Sequence, residues 1–192
     1  GASVEEHLPG NCAAMLAVFH GLILRIAESR VTVLTAINGH CLGGGLEVAM
    51  AGHMIFVAPD AKLGQPEIQL GVIAPAASCL MPERIGRAAA EDLLLSGRNI
   101  DAGEALEMGL VNAITVDPSQ AALDYFDRYL APKSASSLGY AIDAARADFC
   151  TRLRQRLTEV EALYLEGVMS TEDAVEGLEA FIAKRAAKWS NR

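Results

Sequence analysis

Three consecutive glycines at residues 43–45 constrain the fold of this chain more than any other feature. The segment before them, residues 31–37, is apolar and β-branched, which is typical of a strand buried on both faces. After the glycines, residues 46–51 predict a short buried helix and residues 54–58 predict a second strand. A strand, a tight turn, a helix and a strand form a βαβ unit, so we expect an α/β fold with a parallel sheet.

The remainder of the chain changes character beyond Pro82 and becomes mostly helical. Helices are predicted at residues 87–95, after Asp101 as N-cap, and at residues 118–130. A short linker at residues 132–134 precedes long amphipathic helices. We therefore expect an α/β core over residues 1–131 and a helical region over residues 132–192.

Charge and cysteine content exclude several classes of function. The chain has 16 Lys and Arg against 24 Asp and Glu, a net charge of −8, so it lacks the basic surface of a nucleic-acid binder. No uncharged apolar run reaches the ~18 residues of a spanning helix, so no membrane partner is expected. The four cysteines form no CxxC pair and show no zinc spacing, which favours reduced thiols in the cytoplasm and no metal.

Two glutamates stand where chemistry is possible. Glu47 lies among glycines and apolar residues, so its carboxyl group is expected to be buried and its pKa raised. Glu67 follows Pro66 in a segment framed by Gly64 and Gly71. Two carboxyl groups beside one cavity could divide acid and base work between them. Glycine-rich turns also free backbone N–H groups at a helix N-terminus, although this turn matches neither the dinucleotide fingerprint nor a P-loop.

Four segments together resemble the enoyl-CoA hydratase/isomerase (crotonase) superfamily. They are the stretches 37–47, 63–67, 96–112 and 180–185, which are similar to that family's sequence blocks. The resemblance implies a crotonase-like spiral of ββα units followed by a helical C-terminal region. It also implies an acyl-CoA substrate, with coenzyme A as part of the substrate and no separate cofactor.

The resemblance further implies an oxyanion hole and two catalytic acids. Residues 1–3 look like the family's G-A-D element, so the N–H groups of Ala2 and Gly44 would bind the thioester oxygen. Glu47 would activate water and Glu67 would transfer the proton, or the two roles could be reversed. Family members have several strands before this element, so we expect that an N-terminal segment is missing from the sequence.

One segment departs from ordinary enoyl-CoA hydratases. Over residues 71–79, alanine, serine and proline replace a glycine-rich loop, and Pro75 contributes no N–H. This segment looks most like the hydratases of cyclic dienoyl-CoA thioesters. Substrate contacts are predicted from Gly43, Gly71, Ala74 and Pro75.

Several alternatives stay open at this point. Within the family they are a straight-chain enoyl-CoA hydratase, a Δ-isomerase or a decarboxylase; isomerases commonly keep one of the two acids. Outside it they are a catalytically silent CoA-binding module and a nucleotide-binding protein. The family also implies a homo-oligomer, either a trimer or a dimer of trimers, in which Phe181 and Lys184 could reach a neighbouring CoA site.

Overall fold

The computed structural model describes residues 3–192, which form six short strands and seven helices. The strands are β1 (Leu34–Ile37), β2 (His40–Leu42), β3 (Met54–Val57), β4 (Lys62–Gly64), β5 (Asn99–Asp101) and β6 (Ala113–Ile114). The helices are α1 (Cys12–Ala27), α2 (Gly44–Ala51), α3 (Pro75–Ser96), α4 (Ala102–Glu107), α5 (Pro118–Tyr125), α6 (Ala135–Ala162) and α7 (Glu172–Ile182). Short 3-10 turns at Val4–His7, Pro66–Leu70 and Val168–Ser170 and π-helical turns at Phe126–Leu130 and Leu163–Gly167 complete the elements.

The βαβ unit predicted around the glycines is confirmed. Strands β1 and β3 pair in parallel, with Leu34 opposite Met54 and Ile37 opposite Val57, and α2 lies between them in sequence. Strand β6 adds in parallel to β3, which makes a sheet in the order β1-β3-β6. Strand β6 is only two residues long.

The chain also forms a second sheet, which the sequence did not predict. Two of its strands, β2 and β4, come just before the glycine turn and the 3-10 turn at Pro66–Leu70. It has the order β2-β4-β5, with β2 and β4 parallel and β4 and β5 antiparallel. Strand β1 is followed by β2 and then by helix α2. Strand β3 is followed by β4 and, after a 3-10 turn, by helix α3. The chain therefore turns through successive ββα units, as the crotonase-like spiral requires.

Helix α3 begins much earlier than the predicted residue 87. Pro75 occupies its first turn, where a residue without an N–H is tolerated, and Ala74 precedes it in an extended conformation. The helix bends at Gly86, whose φ of 76° is non-helical. The stretch 74–78, which we expected to be a loop, is therefore the N-terminal turn of a helix.

The C-terminal helices pack on the α/β part. Leu153 and Leu157 of α6 belong to the same apolar core as Leu46 and Met50 of α2. A second apolar cluster joins Leu16 of α1 to helix α7 and the π-helical turn after α6. The boundary at residue 131 stays a prediction, and the linker before α6 begins that helix with Ser134 as N-cap.

Two arginines hold the C-terminal end of α2. Arg84 donates to the carbonyl oxygens of Met50 (2.8 Å) and Gly52 (2.6 Å), and Arg146 donates to those of Ala51 (3.1 Å) and Gly52 (2.6 Å). Helix ends leave such carbonyls without partners, and cations there also interact favourably with the helix dipole. Helix α2, which carries Glu47, is consequently fixed by side chains from both α3 and α6.

Candidate active site

The glycine run places the start of α2 against an open cavity. Gly43 has φ 54° and ψ −130°, a backbone conformation that residues other than glycine rarely adopt. Its N–H donates to Gly64 O at 2.9 Å. Gly44 is the first residue of α2, and no residue in the range 3–192 accepts from its N–H. A free N–H at a helix N-terminus favours a negatively charged oxygen. Ala2, its predicted partner in the oxyanion hole, lies outside the described residues.

Glu47 lies in the first turn of helix α2 and is buried. Its side chain belongs to a residue only 4% exposed, and Oε1 accepts from the N–H of Ala77 in the first turn of α3 at 2.7 Å. Burial, and next the charge of Glu67, raise the pKa of Glu47 to about 8, against the opposing effect of the N–H groups of Ala77 and Ala76. The sequence prediction of a buried carboxyl group with a raised pKa is confirmed.

Glu67 lies in the 3-10 turn that follows β4. Burial raises the pKa of its carboxyl group to about 7. The carboxylate approaches Gly43 so closely that a Cβ atom on that glycine would be 2.5 Å from Glu67 Oε1. The Gln65 side-chain amide, oriented with its nitrogen toward the acid, donates to Oε2 at 3.0 Å and to Oε1 at 3.3 Å. Gln65, 1% exposed, therefore fixes the position of Glu67.

Both acids and the glycine turn border one cavity of about 660 Å³, a size typical of small-molecule sites. Gly44, Glu47 and Glu67 all line it. So do four of the residues predicted to bind substrate: Gly43, Ala74, Pro75 and Phe181. Two carboxyl groups with pKa values near neutrality can exchange a proton with a bound molecule. The cavity can thus support acid–base chemistry beside a polarised oxygen.

Two of the predicted substrate-binding residues lie elsewhere. Gly71 ends the 3-10 turn at φ 71°, and a Cβ there would meet Asp173 O at 2.7 Å and the Trp189 ring at 3.0 Å, so it allows close packing against α7. Lys184 is exposed just after α7 with φ 52°. Neither lines the cavity, and their contact with substrate stays a prediction.

The sequence analysis assigned no role to His7 and His20, two of the three histidines that line the cavity, and missed their partners. His20 of α1 pairs through Nδ1 with Glu161, and His7 Nδ1 lies 3.0 Å from the hydroxyl oxygen of the buried Tyr164. Both partners come from the C-terminal end of α6 and the turn that follows. His20 shares its helix face with buried apolar residues at i−4 and i+3, and that interruption of an apolar stripe was the available signal.

The cavity is also bordered by a cation that was not predicted. Arg185, just beyond α7, lines the cavity and pairs with Glu176 through two contacts of 2.5 and 2.8 Å.

Within residues 3–192 there is no cluster of three or more His, Cys, Asp or Glu side chains that could hold a metal ion. None of the helices in that range is long and apolar enough to cross a membrane.

Solved structures share this architecture. An enoyl-CoA hydratase from Mycobacterium avium subsp. paratuberculosis superposes with a TM-score of 0.84, at 24% identity, covering 99% of this chain and 74% of that protein. The fold is therefore that of the crotonases, with the buried Glu47 and the half-buried Glu67 beside its glycine turn.

The sequence comparisons define the family. The model of the enoyl-CoA hydratase/isomerase family matches residues 5–192, and the chain belongs to this family. It is 58% identical over 192 residues to a cyclohexa-1,5-dienecarbonyl-CoA hydratase of Thauera aromatica, covering all of this chain and 74% of that protein. A probable enoyl-CoA hydratase of Mycobacterium bovis is 35% identical over 195 residues, covering 76% of its length.

Proposed function

We propose that this protein is a hydro-lyase that adds water to a cyclic dienoyl-CoA thioester, the cyclohexa-1,5-diene-1-carbonyl group. The observation that carries the proposal is the pair of carboxyl groups, the buried Glu47 and the half-buried Glu67, that line one cavity together with Gly44. The 58% identity to a hydratase of that name over the whole chain supports the acyl group.

The reaction proceeds through an enolate of the thioester. The Gly44 N–H, with Ala2 as its proposed partner, donates to the thioester oxygen, and each such donor is worth about 3–4 kcal/mol as charge develops there. Glu47 takes a proton from water while the water oxygen bonds to the β-carbon of the ring. The electron pair of that double bond moves into the enolate, which is conjugated with the second double bond.

Glu67 then delivers a proton to the far carbon of the conjugated system. The net change is the addition of H and OH across the diene, which leaves one double bond conjugated with the thioester. One acid must be ionised and the other protonated for this sequence, and pKa values of about 8 and about 7 keep both forms accessible near neutral pH. The roles of the two acids can be exchanged without changing the balance.

The other candidates receive less support from the site. A Δ-isomerase needs one acid–base group, whereas two glutamates line the cavity here. A silent CoA-binding module would have no reason to retain two carboxyl groups with raised pKa values on its cavity, since desolvating each one costs free energy. A straight-chain hydratase would use the same two acids, and the wall formed by Ala74 and Pro75 favours the cyclic substrate.

Cofactor, assembly and location belong to the same proposal. The reaction as written balances without a redox or metal step, and coenzyme A enters as part of the substrate. A homo-oligomer, a trimer or a dimer of trimers, is supported by large apolar side chains left exposed near the cavity, including Phe181 (55% exposed) and Trp189 (46% exposed). A cytoplasmic location is supported by the four cysteines, all of which are free thiols.

The activity is tested by following the ultraviolet absorbance of the extended conjugated thioester. We expect faster loss with the cyclic dienoyl-CoA than with crotonyl-CoA. Glu47→Gln and Glu67→Gln should each lower kcat about 10²–10⁴-fold with folding intact. Glu107→Gln, an exposed acid at the end of α4, is the matched control and should retain wild-type kcat. Retention of more than half of kcat by either site variant would contradict its assigned role.

A further inference from the structure

Two walls of the cavity meet in a close backbone contact. One wall is the 3-10 turn Pro66–Leu70, which carries Glu67, and the other is helix α7, whose residues Leu178 and Phe181 also line the cavity. Leu70 lines the cavity too and comes only three residues after Glu67. An acyl group that exchanges a proton with Glu67 therefore lies next to the place where these two walls meet.

Gly177 makes this meeting of helix and turn possible. It is buried in the middle of α7 and lines the cavity. A Cβ atom on Gly177 would lie 2.6 Å from the carbonyl carbon of Leu70 and closer still to Leu70 O. Both are backbone atoms, so no side-chain rotation could relieve the clash. Glycine is among the least favourable residues inside a helix, and the close approach to Leu70, here called the α7–turn contact, accounts for its presence.

The ring of Trp189 lies against the same glycine. Cβ atoms built on Gly177 and on Gly71, which ends the turn, would each be 3.0 Å from an atom of this ring. Trp189 is 46% exposed and does not line the cavity, so its ring packs on the outer side of the α7–turn contact. The indole therefore spans the helix and the turn and ties one to the other.

Helix α7 itself holds the tail that carries Trp189. Glu176 Oε1 accepts from Lys188 N at 2.8 Å, and Asp173 Oδ1 accepts from Ser190 N at 2.6 Å. Hydrogen bonds to a carboxylate are stronger than those between neutral groups. The residues on both sides of the tryptophan are thus bound through their backbone N–H groups, which fixes the position of its ring.

We propose that Gly177 and Trp189 are specificity-determining residues that limit the bulk of the acyl group. By holding α7 against the turn, they keep the cavity beside Glu67 small enough to exclude a group bulkier than the single ring of the proposed substrate. This inference rests on the proposed function in one respect, since it takes the acyl group of a CoA thioester into this cavity.

Gly177→Ala should enlarge the cavity beside Glu67. An ordinary contact begins at 3.4 Å, so α7 would have to move away from Leu70 by about 0.8 Å or more. A gap of ~0.5–1 Å forfeits a quarter to a half of the dispersion attraction, so cyclohexanecarbonyl-CoA should bind about five- to tenfold more weakly. The bulkier adamantane-1-carbonyl-CoA, which is overpacked in the wild type, should bind about threefold or more tightly in the variant. Opposite changes for two ligands do not arise from a general loss of structure.

The tryptophan tests the same idea without introducing a clash. Trp189→Ala should shift both affinities in the same directions by smaller factors, and Trp189→Phe should restore most of the wild-type preference. Gly21→Ala is the matched glycine control, because Gly21 is an exposed residue inside α1 that does not line the cavity, and a Cβ there would have no atom within 4 Å. Tyr140→Ala, at a 69% exposed aromatic residue of α6, is the control for removal of an aromatic ring.

Calorimetric titration of both ligands into the wild type and the variants gives the ratios of Kd values. Neither acyl group has a carbon–carbon double bond, so neither is hydrated and the measurement does not depend on turnover. We expect the wild type to prefer the cyclohexane ligand about tenfold or more, and Gly177→Ala to reduce this preference at least about fivefold. This result, with a smaller reduction in Trp189→Ala and none in the two controls, supports the proposal.

Three results overturn it. They are a wild-type protein without the preference, a folded Gly177→Ala with an unchanged ratio, and a Gly177→Ala that binds both ligands more weakly by the same factor. If Gly177→Ala does not fold, Trp189→Ala decides by the same criteria. A protein that shows the expected shifts but does not hydrate the cyclic diene refutes the proposed reaction and not this inference. An active hydratase with unchanged ratios refutes this inference alone.

Discussion

Replacing Gly43 with alanine tests whether the glycine turn exists to let Glu67 approach it. The new Cβ would lie 2.5 Å from Glu67 Oε1, while an ordinary contact begins at 3.4 Å. The carboxyl group would therefore have to move by about 0.9 Å. A misplacement of ~1 Å in a catalytic group costs about 10²-fold in rate, so we expect kcat to fall by at least that factor.

The same substitution also strains the backbone, and this effect must be separated from the displacement of Glu67. A non-glycine residue in a sparsely populated backbone region costs about 1–3 kcal/mol. Gly109, between α4 and β6, has φ 78°, and a Cβ there would have no atom within 4 Å. Gly109→Ala therefore carries the strain without any clash and is the matched control.

The assay compares both variants for kcat and for unfolding by urea. We expect a loss of stability in both proteins and a loss of turnover in Gly43→Ala alone. A kcat in Gly43→Ala within threefold of that in Gly109→Ala, with both proteins folded, would refute the argument that close approach of Glu67 requires this glycine.

Three further outcomes are expected. The pKa values of Glu47 (about 8) and Glu67 (about 7) lie above the unfolded value of 4.5, so both groups lower the free energy of unfolding as pH rises from about 4.5 to about 8. Urea titrations at several pH values should give a flatter dependence for Glu47→Gln, and equal slopes would contradict the assignment. Replacing residues 74–78 with Pro-Gly-Ala-Gly-Gly should shift kcat/KM toward crotonyl-CoA and loosen the first turn of α3, and an unchanged ratio would show that this wall does not select the acyl shape. Light scattering should give a multiple of 20.3 kDa, and a stable monomer at micromolar concentration would contradict the proposed oligomer.

The elements predicted from sequence are those whose burial produces a continuous run of apolar residues. Strands β1 and β3 are apolar runs, and helix α2 is apolar apart from Glu47, so their order and parallel pairing followed from residues 31–58 alone. The second sheet was missed because its strands are three residues long, too short for an alternating pattern to be recognised. Helix α3 was predicted to begin only at residue 87, although Pro75 occupies its first turn and Pro82 is accommodated inside it.

The site divides in the same way. Glu47 and Glu67 were found because a lone acid among glycines and apolar residues is conspicuous in one dimension. The partner of Glu47, the N–H of Ala77, is a backbone group and leaves no trace in residue identity. Glu161 was missed because its relation to His20 is created only when α6 folds back along α1, a contact between distant parts of the chain.

That contact also affects when the site forms during synthesis of the chain on the ribosome. Helix α1, the glycine turn and both glutamates are synthesised before residue 70, whereas Glu161 and Tyr164, which contact His20 and His7, come about a hundred residues later. At elongation rates of about 5–20 residues per second, the nascent site spends several seconds or more without them. The wall of the cavity formed by these histidines thus acquires its final geometry only near the end of translation.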